Sequence, residues 1–499
     1  MDAVTLQVMV GSLRAACDEM GVVLVRSAHS ANVKERRDAS TALFDPTGQM
    51  VMQAEHIPVH LGAMPAAVAA VLDEEHAPGD AWILNDPFQG GTHLPDVTVI
   101  SPVFAEDDGE HLGFAASRAH HADVGGPTPG SMPADSRRLE DEGVVIAPTR
   151  LAPGGRLDRS FLDELTSRMR NPSQRAADLR AQLAANRTGA RRLAELASRE
   201  GVDTVRRAMD ETLDYAERRT RARIAELEDG ERLAHDLLEG SDADLELRLR
   251  ATVQGDELEL DFTGSADQYE GNLNCPLAVT LSACYFAARV LTDPDVPPSA
   301  GAYRPIIVTA PEGSLLNARA PAAVAAGNVE TSSRVADLVL AAFGHALGQG
   351  TMNNLTLGGE GFTYYETTGG GQGACPDAAG PSAVHVAMSN TLNTPIEALE
   401  LEFPLRAVEY SVRRGSGGDG AQRGGDGAVR ELEALEPMHY SLITERRRNA
   451  PAGADGGAPG ERGRNLLNDE ELGAKASGKL EPGDRLRLET SGGGGHGRP

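Results

Sequence analysis

Short apolar runs alternate with turn residues over the first part of the chain, a pattern typical of β-strands. The runs are Ala42–Phe44, Met50–Met52, Ala81–Leu84, Val97–Phe104 and Gly113–Ser117. Before them, Met1–Ala16 carries apolar residues at helical spacing, which predicts an opening helix. Val97–Phe104 followed by Leu112–His120 predicts a hairpin, so this part of the chain should be a strand-rich domain.

Helical spacing takes over between Ser160 and Glu231, where apolar residues recur among Arg, Glu and Ala. We predict a run of helices there. Strand-like alternation returns at Leu245–Leu249 and Leu258–Phe262, and helical spacing follows near Thr280–Leu291. Gly369–Gly371, Gly415–Gly427 and Gly492–Gly495 predict loops, because glycine carries a high entropic cost inside regular elements.

These patterns predict a mixed α/β (α+β), multi-domain protein. We expect a strand-rich N-terminal domain over 1–158, a central helical segment over 159–235, an α/β domain over 236–350 and a C-terminal Gly-rich α/β region over 351–499. A chain of 499 residues is long enough for two to four such units.

Composition excludes several classes of function. No apolar run approaches the roughly 20 residues that span a bilayer, so no membrane association is expected. The N-terminus lacks an export signal, which favours a cytoplasmic protein. The net charge of −27 would repel nucleic-acid phosphates. The four cysteines lie far apart and predict reduced thiols, not a zinc knuckle or a disulfide framework.

Arginine strongly outnumbers lysine among the 47 basic residues, since the lysines are only Lys34, Lys475 and Lys479. With 74 acidic residues, this bias favours a salt-adapted, halophile-like protein whose surface charge is screened by ions. A GC-rich genome, whose codons also favour arginine, is the alternative explanation. Neither explanation bears on the reaction that the protein carries out.

Histidines concentrate near the start of the chain, which directs the search for a metal or acid–base centre to that region. Eight of the 13 lie in the first 121 residues: His29, His56, His60, His76, His93, His111, His120 and His121. Two segments, Asn85–Asp96 and His120–Gly126, each place Asp three residues after His. Imidazole and carboxylate together suit Zn²⁺, Mn²⁺ or Fe²⁺ and leave open positions. A surface pair or a helix cap is the alternative for each.

The glycine pairs Gly90–Gly91 and Gly125–Gly126 predict that the ligands lie at strand ends beside tight turns. Neighbouring residues on a strand point to opposite faces, so His120 and His121 should not bind the same ion. The pattern favours His120 with Asp123 and leaves His121 as a group that supports a ligand or contacts the substrate.

Other polar segments have plainer explanations. Glu35–Asp38 is explained by a solvated charge run, and Glu55–Gly62 by a buried structural histidine. Gly415–Gly427 could wrap an anion, but a tight turn at a domain or subunit boundary is favoured. The chain has neither a GxxxxGK[ST] phosphate-binding loop nor a GxSxG nucleophile elbow.

The order of these motifs along nearly the whole chain resembles the hydantoinase B/oxoprolinase family. The motifs that carry the resemblance are Ser30–Asp38, Ile57–Gly62, Asn85–Asp96, His120–Gly126, Asn274–Pro276, Pro321–Glu330, Asn393–Glu397 and Gly415–Gly427. The resemblance implies a hetero-oligomer in which an A-type subunit binds ATP and phosphorylates the substrate. The B-type subunit would then complete the reaction on a small cyclic amide such as hydantoin, N-methylhydantoin, 5-oxoproline or a related lactam.

The resemblance also implies site residues. A metal pair carried over from the acetone carboxylase branch of the family matches His120 and Asp123, and we expect His93 as a third ligand. Asp96 or His121 would orient or deprotonate the attacking water. In the stretch 369–380 the family more often has Lys-Asp-Gly where this chain has Cys375-Pro376-Asp377, so specificity can differ there.

Three functions therefore compete at this stage. The first is the hydrolytic B-type subunit, which the chain's modest length relative to the acetone carboxylase counterpart favours. The second is a subunit of an ATP-dependent acetone or ketone carboxylase, which bicarbonate dependence would distinguish. The third is a non-catalytic scaffold for the A-type subunit, in which the histidines are structural and no metal is bound.

Overall fold

A computed structural model describes residues 1–55, 57–106 and 109–499. Those residues form ten α-helices and nineteen β-strands arranged in four sheets. His56 lies outside the described residues. The mixed α/β architecture predicted from the sequence is confirmed, with sheets and helices following one another along the chain.

The N-terminal part is a six-stranded antiparallel sheet in the order β2-β1-β5-β4-β3-β6. Its elements are α1 Ala3–Ser27, α2 Ala31–Lys34, β1 Ala39–Phe44, β2 Met50–Glu55, α3 Ala63–Ala69, β3 Ala81–Leu84, β4 Asp96–Phe104, β5 His111–His120 and β6 Thr149–Ala152. The opening helix and the β4–β5 hairpin are as predicted. Asp2 caps α1 by accepting hydrogen bonds from the backbone of Val4 and Thr5.

Three helices follow: α4 Arg159–Ser167, α5 Pro172–Glu200 and α6 Val202–Ile224. They confirm the predicted helical segment, but they pack on the first sheet and share its core. Leu43, Ala115 and Ala119 of the sheet join Leu13 and Met20 of α1 and residues of α5 and α6 in one apolar cluster. The opposite face of the same strands packs toward the rest of the chain. Residues of β1 are therefore buried on both faces, which explains a strand with no exposed position.

The second sheet has the order β10-β9-β8-β7, with β10 parallel to β9. Its strands are β7 Gly230–Glu239, β8 Asp244–Gln254, β9 Glu257–Asp261 and β10 Ile306–Thr309, with helices α7 Leu277–Leu291, α8 Ala300–Tyr303 and α9 Ser332–Ala342. A π-turn, Gly327–Thr331, leads directly into α9. Sequence predicted β8, β9 and α7 correctly. The domain boundaries expected at residues 158, 235 and 350 stay predictions. The strand β7 continues across residue 235 without a break.

The C-terminal part packs two antiparallel sheets face to face, in the orders β12-β11-β15-β18 and β13-β14-β19-β16-β17. The elements are β11 Asn354–Gly359, β12 Phe362–Glu366, α10 Ile396–Glu402, β13 Leu405–Arg413, β14 Gly427–Ala434, β15 Met438–Ile443, β16 Arg464–Leu467, β17 Glu470–Leu472, β18 Lys475–Leu480 and β19 Arg485–Glu489. Alternating apolar residues such as Leu355, Leu357, Leu432 and Leu488 fill the space between them.

Buried ion pairs join the second sheet to the end of β15. Asp236 on β7 lies 2.8 Å from Arg446 Nη2 and 3.3 Å from Arg334 Nη1. Arg334 on α9 also lies 3.2 Å from Glu445 Oε2. Because an unpaired charge here would carry a desolvation penalty of several kcal/mol, the pairs constrain how the two sheets meet.

Apart from Gly427, which begins β14, the glycine-rich stretches lack regular secondary structure, as predicted, and they pack against one another. The Gly493 amide donates to the Gly425 carbonyl (2.9 Å), and the Gly425 amide donates to the Gln372 carbonyl (2.9 Å). A Cβ atom at Gly493 would overlap the carbonyl group of Gln372. Glycine is required because backbone segments approach more closely than any side chain allows.

We predict opposite effects for two glycine substitutions. Gly493→Ala should lower the free energy of unfolding by about 2–3 kcal/mol, because the new methyl group overpacks the backbone cluster. Gly11→Ala should raise it by up to about 1 kcal/mol, because Gly11 is exposed inside α1 and a Cβ atom there meets nothing within 4 Å. Urea denaturation followed by circular dichroism measures both. A wild-type midpoint for Gly493→Ala would show that the glycine segments can separate at little cost.

Candidate metal centre

The β4–β5 hairpin brings one acidic and one imidazole side chain together. Its antiparallel register places Asp96 directly opposite His120. From Phe114 to His120, even-numbered residues of β5 face the body of the protein and odd-numbered ones face α5, so His120 and Asp96 point to the same side of the sheet. The register of the hairpin therefore fixes the positions of Asp96 and His120 relative to each other.

The loop between β3 and β4 supplies the second imidazole. Asn85 holds this loop through its side chain, which donates to the carbonyls of Leu94 (2.8 Å) and Val144 (2.9 Å) and accepts from the Ile146 amide (2.6 Å). Arg118 on β5 donates to the Gly90 carbonyl (2.8 Å) from the other side. The loop is fixed at both ends, and it directs His93 toward Asp96.

Three side chains converge to form the candidate metal centre, defined here as His93, Asp96 and His120. His93 Nε2 lies 3.2 Å from Asp96 Oδ1, and His120 Nδ1 lies 3.4 Å from the same oxygen. One ligand atom from each residue lies within 4.8 Å of the others. The three residues are at most 2% exposed. Among the described residues, neither ring nitrogen of His93 has a hydrogen-bond partner.

The second carboxylate oxygen of Asp96 is held by other groups. Thr92 Oγ1 donates to Asp96 Oδ2 (2.6 Å), and Asn328 Nδ2 donates to it over 3.5 Å. His60 Nε2 lies 3.5 Å from the same oxygen, while His60 Nδ1 contacts Ser40 Oγ at 2.9 Å. Asp96 thus presents Oδ1 to the two imidazoles and uses Oδ2 to fix its own orientation.

Electrostatics favour the protonation states that a metal needs. Burial alone would raise the pKa of Asp96, but the imidazoles of His93, His120 and His60 more than offset it and hold that pKa well below its usual value. Burial lowers the pKa of His120, against the opposing effect of Asp96 and Asp38. An ionised carboxylate and a neutral imidazole are the forms that coordinate metal ions.

An aromatic and cationic stack covers the His120 side of the centre. The Tyr365 ring lies 4.3 Å from the His120 ring, nearly parallel to it, and the Arg36 guanidinium lies 4.7 Å from the Tyr365 ring on β12. Asp38 Oδ2 lies 4.0 Å from His120 Nδ1. Arg36 is 1% exposed and Asp38 3% exposed, so the prediction of a solvated charge run at Glu35–Asp38 was wrong for these two residues. Arg36 donates to the Tyr365 carbonyl and to Thr367 and Thr391, and these bonds compensate its burial.

Two residues singled out by the sequence lie outside the centre. The Asp123 carboxylate accepts hydrogen bonds from the amides of Gly125 (2.7 Å) and Gly130 (2.8 Å) and from both the amide and the guanidinium of Arg170. His121 points to the opposite face of the sheet, where Nε2 contacts Gln182 Oε1 at 2.9 Å, and burial lowers its pKa to about 4. The strand alternation that separates it from His120 is as predicted.

Sequence reasoning overlooked three neighbours of the centre: Asp38, His60 and Asn328. His60 was explained as a buried structural histidine, and it is buried, yet its ring faces Asp96. The register of the hairpin was the available signal for the acidic partner, since it pairs His120 with Asp96 and leaves Asp123 beyond the strand end. No sequence signal places Asn328, which comes from a distant part of the chain.

Comparison with known proteins gives consistent matches along the chain. The family model described as hydantoinase B/oxoprolinase matches residues 2–499. A 5-oxoprolinase of Dictyostelium discoideum is 38% identical over 100% of this chain but only 40% of its own length. A protein of Methanocaldococcus jannaschii is 37% identical, with 100% of this chain and 91% of that protein covered. The chain therefore spans about two fifths of the 5-oxoprolinase and nearly all of the archaeal protein.

Solved structures include a similar fold. The ATP-dependent caprolactamase from Pseudomonas jessenii has a TM-score of 0.92 and 29% sequence identity, covering 100% of this chain and 92% of that one.

Among the described residues, no helix combines the length and the apolar character needed to cross a membrane.

The contacts of Asp123 predict a structural role for it. Asp123→Ala should lower the free energy of unfolding by about 3 kcal/mol, because it leaves buried amides and the Arg170 guanidinium without their acceptor. Asp158→Ala, which removes an exposed cap of α4, should cost about 1 kcal/mol and is the matched control. Urea denaturation measures both, and equal losses would contradict the structural role of Asp123.

Proposed function

The chain belongs to the hydantoinase B/oxoprolinase family, and on that premise we propose that it completes the ATP-dependent opening of a cyclic amide with the help of a divalent metal ion. The observation that carries the proposal is the buried cluster of His93, Asp96 and His120, whose ligand atoms lie within 4.8 Å of one another. Related proteins include 5-oxoprolinases and a caprolactamase, whose names both describe action on a cyclic amide.

The donor set fits a first-row divalent ion such as Zn²⁺, Mn²⁺ or Fe²⁺, because two imidazole nitrogens and one carboxylate oxygen leave coordination positions open. When bound, such an ion would polarise a carbonyl group and lower the pKa of water toward neutrality. His93 supports this assignment, because its buried Nε2 faces Asp96 Oδ1 at 3.2 Å and neither ring nitrogen has a hydrogen-bond partner among the described residues.

Asp96 belongs to the ligand set in this proposal, and the role of proton acceptor falls to His60. Asp96 Oδ1 faces both ligand imidazoles, so it is not free to act as a base. Ser40 orients the His60 ring, and His60 Nε2 then faces the centre and can hold a proton there. Asp38 lies within reach of the same space as an additional oxygen ligand. We assign His121 and Asp123 supporting roles in the fold, because their contacts are directed elsewhere.

Activation of the amide is assigned to an A-type counterpart. An amide carbon is a poor electrophile, and phosphorylation of its oxygen by ATP creates a good leaving group. The oxygen of one water can then bond to that carbon, and the C–N bond breaks as the ring nitrogen takes up a proton, which leaves an acyl phosphate. A second water adds to the acyl carbon, and phosphate leaves as the carboxylate forms. The chain has no phosphate-binding loop motif, and the 5-oxoprolinase relative is much longer, so the counterpart can be a separate chain or part of the same polypeptide.

We predict that His93→Ala and Asp96→Ala abolish both metal binding and ring opening. Because loss of groups that merely support a ligand costs 10–100-fold, loss of a ligand should lower turnover by more than about 100-fold. The measurements are elemental analysis and ATP-dependent opening of 5-oxoproline, hydantoin and caprolactam by the complex with its A-type counterpart. His29→Ala is the control, since His29 is exposed and lies outside the centre.

Two results would contradict this proposal. Full turnover without metal after chelation would leave the chain as a scaffold for its counterpart. Turnover of a ketone that requires bicarbonate, with no ring opening, would assign it to carboxylation.

A further inference from the structure

A π-turn faces the candidate metal centre from the far side. Gly327–Thr331 forms one turn of π-helix immediately before α9, and every residue in it is buried. A π-turn inserts extra backbone into a helix, costs hydrogen-bond geometry and often occurs at functional sites. The position of this π-turn beside the centre therefore needs a physical explanation.

The turn is anchored on both sides by groups that fix its position. The Gly327 amide donates to the Asn272 carbonyl (2.8 Å), and Thr331 Oγ1 donates to the Leu273 carbonyl (2.6 Å). At its entrance the Glu142 carboxylate accepts from the amides of Val324 (3.0 Å) and Ala325 (2.9 Å). The segments 272–275 and 321–330 therefore act together as one support.

Asn328 is the side chain that this support directs at the centre. Its Nδ2 donates to Asp96 Oδ2 over 3.5 Å, and the residue is 3% exposed. Within residues 1–55, 57–106 and 109–499, no group hydrogen-bonds to Asn328 Oδ1. A buried acceptor without a donor destabilises the folded protein, so a ligand that donates a hydrogen bond at this position would relieve that cost.

We infer that Asn328 determines specificity by accepting, at Oδ1, a hydrogen bond from the N–H group of the ring amide. This inference rests on the proposed function. A ring holds its amide in the cis form, so N–H and C=O lie on one edge, and a carboxamide beside the centre complements that edge. The nitrogen carries a hydrogen before the reaction, keeps it while the phosphorylated amide is cationic, and gains another when the C–N bond has broken. An acceptor at this position therefore suits all three states and favours the cationic, more electrophilic form of the activated amide.

The experiment compares two substrates in the complex with its A-type counterpart. Whichever of 5-oxoproline, hydantoin and caprolactam the complex opens is paired with its analogue methylated on the nitrogen of the cleaved bond. Ring opening is counted per ATP hydrolysed, so that discrimination during activation cancels. The wild type should prefer the N–H substrate at least about tenfold, as expected for one hydrogen bond to a buried group.

Asn328→Ala should lower opening of the N–H substrate and bring the preference to within about threefold of unity. Asn328→Asp keeps an acceptor oxygen and should retain the preference even where turnover falls. Metal content, measured by elemental analysis, should stay at the wild-type level in Asn328→Ala. Ser332→Ala is the matched control, because Ser332 Oγ donates to the Asn328 carbonyl but has no contact at the centre, and it should retain the preference.

Several outcomes would overturn the inference. If Asn328→Ala slows both substrates equally and the preference survives, Asn328 merely positions Asp96. If the wild type opens both substrates equally well, no N–H contact exists. A metal-loaded wild-type complex that opens none of the ring amides would defeat the proposed function itself, whereas an active wild type with an unchanged preference in Asn328→Ala defeats only the role of Asn328.

Discussion

The antiparallel pairing of Asp96 with His120 is the constraint on which the candidate metal centre depends. Side chains alternate along a strand, so a shift of one residue in this register would turn His120 toward α5 and His121 toward Asp96. The hairpin lies in the middle of a six-stranded sheet whose two faces are both buried. Apolar packing on each face therefore fixes the register of the hairpin. The geometry of the polar centre depends on that packing.

Burial gives the centre its electrostatic character, and it also imposes a desolvation cost on the charged side chains. An ionised carboxylate removed from water is expensive unless it is compensated, and Asp96 is compensated by Thr92, Asn328 and the surrounding imidazoles. His93 Nε2 faces Asp96 Oδ1 at 3.2 Å, but neither ring nitrogen of His93 has a hydrogen-bond partner among the described residues. A bound cation would coordinate one nitrogen of His93 and the facing carboxylate oxygen together, which is the physical argument for a metal at this position.

Local patterns in the sequence were enough to predict the opening helix, the β4–β5 hairpin and the helical segment, since each depends on hydrophobic spacing over a short stretch. They also singled out His93, Asp96 and His120, which the structure brings together, while their roles stay proposals. Spacing could not separate Asp123 from Asp96, because both follow a histidine by three residues. The burial of Arg36 and the approach of Asn328 depend on contacts between distant segments, for which hydrophobic spacing carries no signal.

The centre is assembled from parts of the chain that fold into different sheets. The first sheet supplies Asp96 and His120, and its β3–β4 loop supplies His93. Tyr365 on β12 of the C-terminal sandwich covers His120, and the π-turn before α9 brings Asn328. The buried pairs Asp236–Arg446 and Arg334–Glu445 hold the second sheet and α9 against the third sheet. We expect loss of either pair to shift the π-turn and Tyr365 relative to the histidines without removing a residue of the centre. These charged residues therefore constrain how the groups around the centre meet, although they lie outside it.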